Sequence, residues 1–181
     1  MNVPDDRQLI ELFNSDPKPA FKGIVEKYQD RIFNLCVYML QDREDARDAA
    51  QDVFLKAFRS LGSFKHEASL YTWLYRIGVN TCLDYKKKSR PELIEDESFV
   101  EDLPSGAPSP EQHYQSKEIG QAIQKALQKL PADLRATIIL KEMEELSYEG
   151  IAETLRISIG TVKSRISRAR EELRRLLQKK V

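Results

Sequence analysis

The sequence predicts an all-α protein made of two small helical domains joined by an extended acidic linker. Three observations predict it. Apolar residues recur every three or four positions along most of the chain, the period of one buried helix face. No stretch alternates with a period of two for long enough to make a sheet. The helical pattern is broken once, at PELIEDESFVEDLPSGAPSPEQ (91–112), which carries 7 acidic and no basic residues and four of the chain's eight prolines. Proline cannot continue a helix, like charges repel along the chain, and structureless loops of this length are uncommon inside a compact domain. The expected boundaries are therefore 1–90 for the first domain, 91–115 for the linker and 116–181 for the second.

The elements follow in order. A short helix is expected near 6–13. Phe21, Ile24, Val25, Tyr28, Ile32, Leu35, Cys36 and Met39 form the apolar stripe of a second helix. Ala46, Ala50, Val53, Phe54, Ala57, Phe58 and Leu61 form a third stripe, and Leu70, Trp73, Leu74 and Ile77 open a fourth. In the second domain, Ile119, Ala122, Ile123, Ala126, Leu127 and Leu130 mark a helix that stops at Pro131. Further helices are expected at 132–145, 147–155 and 159–178, with Ser147 and Ser158 as N-caps of the last two.

Composition sets the class. The chain has 181 residues, 41% apolar and 32% charged, which fits a folded, helix-rich protein rather than a disordered one. No apolar run approaches the ~20 residues of a membrane span. The opening MNVPDDRQLIELF is acidic before any apolar stretch, unlike a secretion leader, so a cytoplasmic location is expected. Cys36 and Cys82, 46 positions apart, make neither a disulfide framework nor a zinc knuckle. Cys36 lies on an apolar stripe and reads as a packed thiol, with Cys82 beside it on a neighbouring helix.

The 29 basic and 29 acidic residues cancel over the whole chain but are unevenly distributed. Residues 1–90 hold 15 basic and 13 acidic groups, and 113–181 hold 14 and 9. From Arg156 onward there are 9 basic and 2 acidic residues, a local excess of +7 suited to phosphate contacts and counterion release.

Three surfaces carry chemistry. In LSYEGIAETLRISIGTVKSRISRAREELRRLL two helices meet at a tight turn. Val162, Ile166, Ala169 and Leu173 make the buried face of the second helix, leaving Thr161, Lys163, Ser164, Arg165, Ser167 and Arg168 outside. A helix fits the DNA major groove, and residues near its N-terminus reach base edges. Small residues at Gly160, Thr161 and Ser164 allow close approach. In DREDARDAAQDVFLKAF, Asp45, Asp48 and Asp52 share a helix face beside Gln51. A basic partner would relieve their self-repulsion. In SFKHEASLYTWLYRIGVNTCLDYKKKSR, Phe64, Tyr71, Trp73, Tyr75 and Tyr85 interleave with Lys65, His66, Arg76, Asn80, Lys86, Lys87 and Lys88. Aromatics with cations suit unstacked bases and their backbone.

These residues together resemble the extracytoplasmic-function sigma factors of bacterial RNA polymerase, a group of the sigma-70 family. The strings REDARDAAQDVFLKAF, SLYTWLYRIGVNTCLDY, LQKLPADLRATIILKEMEELSYEGIA and IGTVKSRISRAREELR carry the resemblance, in that order, over nearly the whole chain. It implies a region 2 and a region 4 joined by a variable linker. It implies docking of Asp45, Asp48, Gln51, Asp52 and Phe54 on the coiled coil of the polymerase β′ clamp. A loop of Phe64, Lys65, His66, Glu67, Ala68 and Ser69 would capture a flipped base of the promoter −10 element. Arg76, Asn80, Lys86, Lys87 and Lys88 would contact DNA nearby. Lys141, Arg156, Gly160, Thr161, Lys163, Ser164, Arg165, Ser167 and Arg168 would read the −35 element as duplex, with region 4 also touching the β flap. The implied partners are core RNA polymerase, promoter DNA and an anti-sigma factor that could hold the protein at the inner membrane face. No direct membrane insertion, no cofactor and a monomeric free state are expected. The chain departs from many relatives at Gly150, where an acid would complete a capping box with Ser147, and at His66 and Ser167.

Two histidines, His66 and His113, with no metal-ligand spacing, phosphate loop or nucleophile elbow argue against an enzyme. The alternative is a helix-turn-helix regulator acting without polymerase. That reading leaves the acidic face and the aromatic-cationic segment unexplained, and such regulators commonly dimerise on palindromes.

Overall fold

The computed structural model describes residues 5–64, 68–88 and 110–178, with side chains placed for 5–64, 68–87 and 119–178. Every regular element among these residues is helical, as the sequence predicts. Residues 91–109 of the expected linker, Lys65, His66, Glu67 and the side chain of Lys88 lie outside the described residues.

The first domain has four helices: α1 (Asp6–Ser15), α2 (Pro17–Leu40), α3 (Arg43–Ser60) and α4 (Leu70–Lys88). Asp5 and Gln8 make a reciprocal capping box at the start of α1, the Asp5 carboxylate accepting from the Gln8 amide at 2.8 Å. Asp6 then fixes α1 to α2, accepting from Tyr28 Oη (2.7 Å) and Lys27 Nζ (2.7 Å). Pro17 and Pro19 sit in the first turn of α2, where a missing N–H costs nothing. Gln41, in the left-handed region at φ 66, ends α2. Asp42 caps α3, accepting from the Asp45 amide at 2.8 Å. The buried face of α3 is Ala46, Ala49, Ala50, Val53 and Ala57. Those small side chains let α3 lie close against α2 and α4. Gly78 serves the same end on α4: a Cβ there would stand 2.8 Å from Leu35 Cδ2 on α2.

The second domain holds α5 (Pro110–Lys129), α6 (Ala132–Glu142), α7 (Tyr148–Leu155) and α8 (Ile159–Gln178). The backbone is already helical at Pro110, so the last six residues of the stretch 91–115 expected to be linker belong to a helix. The reason is local: proline, which cannot continue a helix, suits a first helical turn. Pro131 separates α5 from α6, as expected. Arg156, in the left-handed region at φ 55, makes the turn between α7 and α8. Ser147 and Ser158 cap those helices as predicted, accepting from Gly150 N (3.0 Å) and Thr161 N (3.1 Å).

Arg135 joins these parts. It is buried, and its guanidinium donates to the carbonyls of Leu127 (2.7 Å), Gln128 (2.6 Å) and Leu130 (2.9 Å) at the end of α5. A fourth bond runs to the carbonyl of Met39 at the end of α2, 3.0 Å away. The two domains therefore pack against each other, α4 on α7 and the C-terminal part of α2 on α5 and α6. Buried apolar residues form one continuous cluster through both. No helix among the described residues is long and apolar enough to cross a membrane.

Gly150 lies in the first turn of α7, where an added Cβ would meet its nearest neighbours, Leu146 Cδ2 and Ser147 Oγ, at 3.4 Å. Gly150→Ala should therefore stabilise the protein by about 0.5–1 kcal/mol, and Gly150→Glu by somewhat more through the completed capping box. Urea denaturation followed by circular dichroism reads this; a lower midpoint for Gly150→Ala would show that the turn needs glycine.

Candidate nucleic-acid and protein interfaces

The first surface lies on α3. Asp48 and Gln51 are exposed, while Asp45 and Asp52 are half-buried. Partial burial, then the neighbouring carboxylates of Asp42, Asp48 and Glu44, push the Asp45 carboxyl above its ordinary range. Acidic groups therefore crowd this face. Tyr85 of α4 donates to Asp52 at 3.0 Å, and its phenol is pushed up to about 12 by burial and by that bond. The same face continues into exposed apolar surface. Leu55 is 55% exposed and Phe58 41%, with the Phe58 ring edge-on to Phe21 at 5.0 Å and to Phe13 at 5.6 Å. Phe54, expected at this interface, is half-buried, its ring 6.4 Å from Phe21, so it supports the surface from beneath. Leu55 escaped the sequence reading, although its place at i+7 from Asp48 and i+4 from Gln51 puts it on the acidic face.

The second surface lies on α4. Trp73, Arg76, Asn80 and Lys87 follow each other at helical spacing, and the Trp73 ring stands 5.3 Å from that of Phe64. Asn80 and Lys87 are exposed, Lys86 and Ala68 half-buried, and Lys87 pairs with Asp84 at 3.8 Å. Ser69 is exposed but engaged, its Oγ accepting from the Thr72 amide at 3.0 Å and so capping the start of α4. Arg76 does not point into solvent. Its Nη2 donates to the Glu153 carbonyl of α7 at 2.9 Å, and its Nε is buried with no hydrogen-bond partner.

The third surface lies on α8. Val162, Ile166 and Ala169 are buried and Leu173 half-buried, as the periodicity requires. Opposite them Gly160, Lys163, Ser164, Ser167 and Arg168 are all exposed in a single strip. Thr161 is half-buried with its Oγ1 2.9 Å from Ser158 Oγ, and Arg165 turns aside to Asp133 at 3.4 Å. Arg156 is exposed at the turn. Lys141 is half-buried, its Nζ 3.4 Å from the Leu146 carbonyl and 5.3 Å from the centre of the Tyr148 ring. Seven of the residues expected to meet duplex DNA thus remain accessible or nearly so, while Lys141 and Arg165 are held by their own domain.

Between the domains lies a cluster of buried polar groups. Glu144, in the turn after α6, is 6% exposed. Its carboxylate accepts from Tyr75 Oη and stands 3.7 Å from Arg31 Nε, while its main-chain carbonyl accepts from Tyr71 Oη at 2.7 Å. Burial pushes the Glu144 carboxyl up, and the Tyr75 bond and Arg31 pull it partly back. Cys36 and Cys82 are both buried between α2 and α4, and the contact with Cys82, with burial, pushes the Cys36 thiol up. That fits packed, unreactive thiols. Among the described residues no three His, Cys, Asp or Glu side chains gather as a metal site.

Comparison with known proteins identifies the family and the fold. The description "Sigma-70 region 2" matches residues 24–92 and "Sigma-70, region 4" matches 120–173. The RNA polymerase sigma-H factor of Pseudomonas aeruginosa is 39% identical over 185 residues, spanning 96% of this chain and 94% of that protein. The ECF RNA polymerase sigma-E factor of Escherichia coli K12 is 37% identical over 176 residues, spanning 93% and 92%. The ECF sigma factor SigW of Bacillus subtilis is 35% identical, spanning 95% and 96%. Among solved structures, the sigma factor RpoE of Bartonella quintana, in complex with the anti-sigma factor NepR, superposes with a TM-score of 0.70 at 29% identity, covering 87% of this chain and 96% of that one. CnrH, in complex with the cytosolic domain of CnrY, shares the fold with a TM-score of 0.75 at 24% identity, covering 99% and 100%.

Proposed function

The chain belongs to the sigma-70 family, among its extracytoplasmic-function sigma factors, and from that premise we propose which surface does what when it directs promoter-specific transcription by RNA polymerase. It acts as a specificity subunit without catalysis of its own, and its partners are core polymerase, promoter DNA and an anti-sigma factor.

The strip Gly160, Lys163, Ser164, Ser167 and Arg168 reads the −35 element in the major groove. The observation that carries this is the exposure of all five on a helix whose opposite face is locked into the domain. A reading helix must be rigid, because its side chains have to meet base edges without spending affinity on ordering. Glycine and serine keep the backbone close to the DNA, and Lys163 and Arg168 supply phosphate or guanine contacts. Arg156, exposed at the turn before α8, adds positive charge near the start of that helix.

The α4 stripe of Trp73, Asn80 and Lys87, with the loop that precedes it, engages the opened −10 element. Aromatic rings beside cations stabilise unstacked bases. The acidic α3 face docks on the β′ clamp coiled coil. What supports this is its crowding: burial first, and then the neighbouring carboxylates of Asp42, Asp48 and Glu44, raise the Asp45 carboxyl, and a basic surface gains by docking on such a face. Leu55 and Phe58 give that dock an apolar centre, which binding surfaces need beside their charged rim.

Three outcomes test these roles. With core polymerase on genomic fragments, the protein should start transcripts at promoters carrying both elements; run-off transcription checks this, and no specific start on any fragment would refute it. Lys163→Ala and Arg168→Ala should each weaken duplex binding of the −35 element and lower the salt slope by about one unit for each phosphate no longer neutralised. Asp48→Arg with Asp52→Arg should cut core binding by about tenfold or more, since it turns attraction into like-charge repulsion. Competition with labelled wild type measures this, and −35 duplex binding by the same protein should stay unchanged.

A further inference from the structure

We propose that α4 sets the Asp52 carboxylate for docking through two polar rungs, Tyr85 holding the carboxylate and Thr81 holding away the lysine that would pair with it. The proposal rests on the functional reading above, in which the acidic face of α3 docks on core polymerase. It deepens that reading by naming two positioning residues that lie on a different helix.

The rungs stand one helical turn apart. Tyr85 Oη of α4 donates to Asp52 Oδ2 of α3 at 3.0 Å. Lys56 Nζ of α3 donates to Thr81 Oγ1 of α4, also at 3.0 Å. Lys56 follows Asp52 by four residues and Tyr85 follows Thr81 by four, so two helices running in opposite directions bring both pairs into register. Asp52 and Tyr85 are half-buried and Thr81 is fully buried, which partly shields the two bonds from water.

A carboxylate that docks on a basic surface has to be aimed and has to keep its charge. A lysine or arginine beside it would aim it and offset the charge at the same time. A phenol aims it without that cost. Tyr85 brings one O–H and no charge, and it takes one of about four lone-pair positions on the carboxylate. Burial and the bond to Asp52 push the phenol up to about 12, so it remains a neutral donor at physiological pH. The bond also fixes a side chain that core binding would otherwise have to order.

Lys56 is the cation that local sequence would pair with Asp52, because an acid followed four residues later by lysine is a favoured pair on a helix surface. Its ammonium turns toward α4, where the neutral Thr81 hydroxyl accepts from it. Thr81 has no exposed surface, so the acceptor stays in place. The side chains of α4 thus give Asp52 a neutral donor and draw the lysine off.

The test is a double-mutant cycle on the full chain, with core affinity read by competition against labelled wild type. Tyr85→Phe should weaken core binding by about two- to tenfold, the range for one side chain left to be ordered on binding. In an Asp52→Ala background the same change should cost nothing further. Thr81→Val should weaken core binding by about twofold, the strength of an i, i+4 ion pair between Asp52 and the freed Lys56. Adding Lys56→Met to Thr81→Val should restore it. Circular dichroism checks that each variant keeps its helices, and the rung whose variants stay folded carries the test. An absent loss from Tyr85→Phe, or an equal loss with and without Asp52, would overturn the role of Tyr85. An absent loss from Thr81→Val, or one that Lys56→Met does not reverse, would overturn that of Thr81. Wild-type core affinity in Asp52→Ala itself would instead refute docking through this carboxylate.

Discussion

A buried guanidinium with no carboxylate beside it is the contact on which both halves of this molecule depend. The last carbonyls of any helix lack partners within that helix and carry the negative end of its dipole. α5 ends at Lys129 and α2 at Leu40, and both ends turn inward. Arg135 collects them, three carbonyls from the end of α5 and one from the end of α2. Burial lowers the affinity of the guanidinium for its proton, yet arginine stays charged because its ordinary range lies so high. A lysine could not do the same work, since it presents one point of charge where four acceptors lie in different directions. Because Arg135 belongs to α6, fixing it fixes the helix on which α7 and α8 pack. The orientation of α8 therefore follows from a buried residue on another helix.

The charge distribution gains meaning from the fold. The acids on α3 and the bases on α8 cannot neutralise each other, because each is exposed on a surface held outward by its own apolar face. What the sequence shows as overall neutrality is separation in space. Separation is what the proposed roles need, a basic protein surface on one side and an acidic nucleic acid on the other, each with complementary charge. The residues that do cross between the domains are of another kind: tyrosine hydroxyls, one carboxylate, guanidinium groups and main-chain carbonyls, which need direction more than net charge.

Much of this is legible in the residues alone. The helices of the described residues announce themselves because each has a long apolar stripe. The caps at Ser147 and Ser158 do so because serine before such a stripe has few other uses. The start of α5 lies six residues earlier than composition suggests, since prolines and acids hide a helix start as easily as they mark a linker. The strip on α8 is legible because outward residues are the complement of the buried ones. The turn of Arg165 toward Asp133 is not, since it depends on a residue 32 positions earlier. Phe58 reads as core because periodicity cannot tell a covered face from an uncovered one. The domain contact is invisible for a related reason. Glu144 looks in sequence like a surface acid near a turn, and nothing local to it announces that Tyr71 and Tyr75 lie opposite.

The two kinds of polar burial in this chain differ in a way that bears on motion. Around Arg135 the donors of the guanidinium meet carbonyls at 2.6–3.0 Å, three of them in its own domain, so taking it apart would only exchange a complete set of bonds for bonds to water. Around Arg76 and Gln41 the pairing is incomplete, and water could complete it. Low dielectric raises the stakes in both places, but in opposite senses: it holds the satisfied network together and penalises the unsatisfied one. A chain assembled from one of each has a natural line of division. The second domain should remain a unit when stressed, and the seam where α4 meets α7 should part first, well below the free energy that unfolds either side.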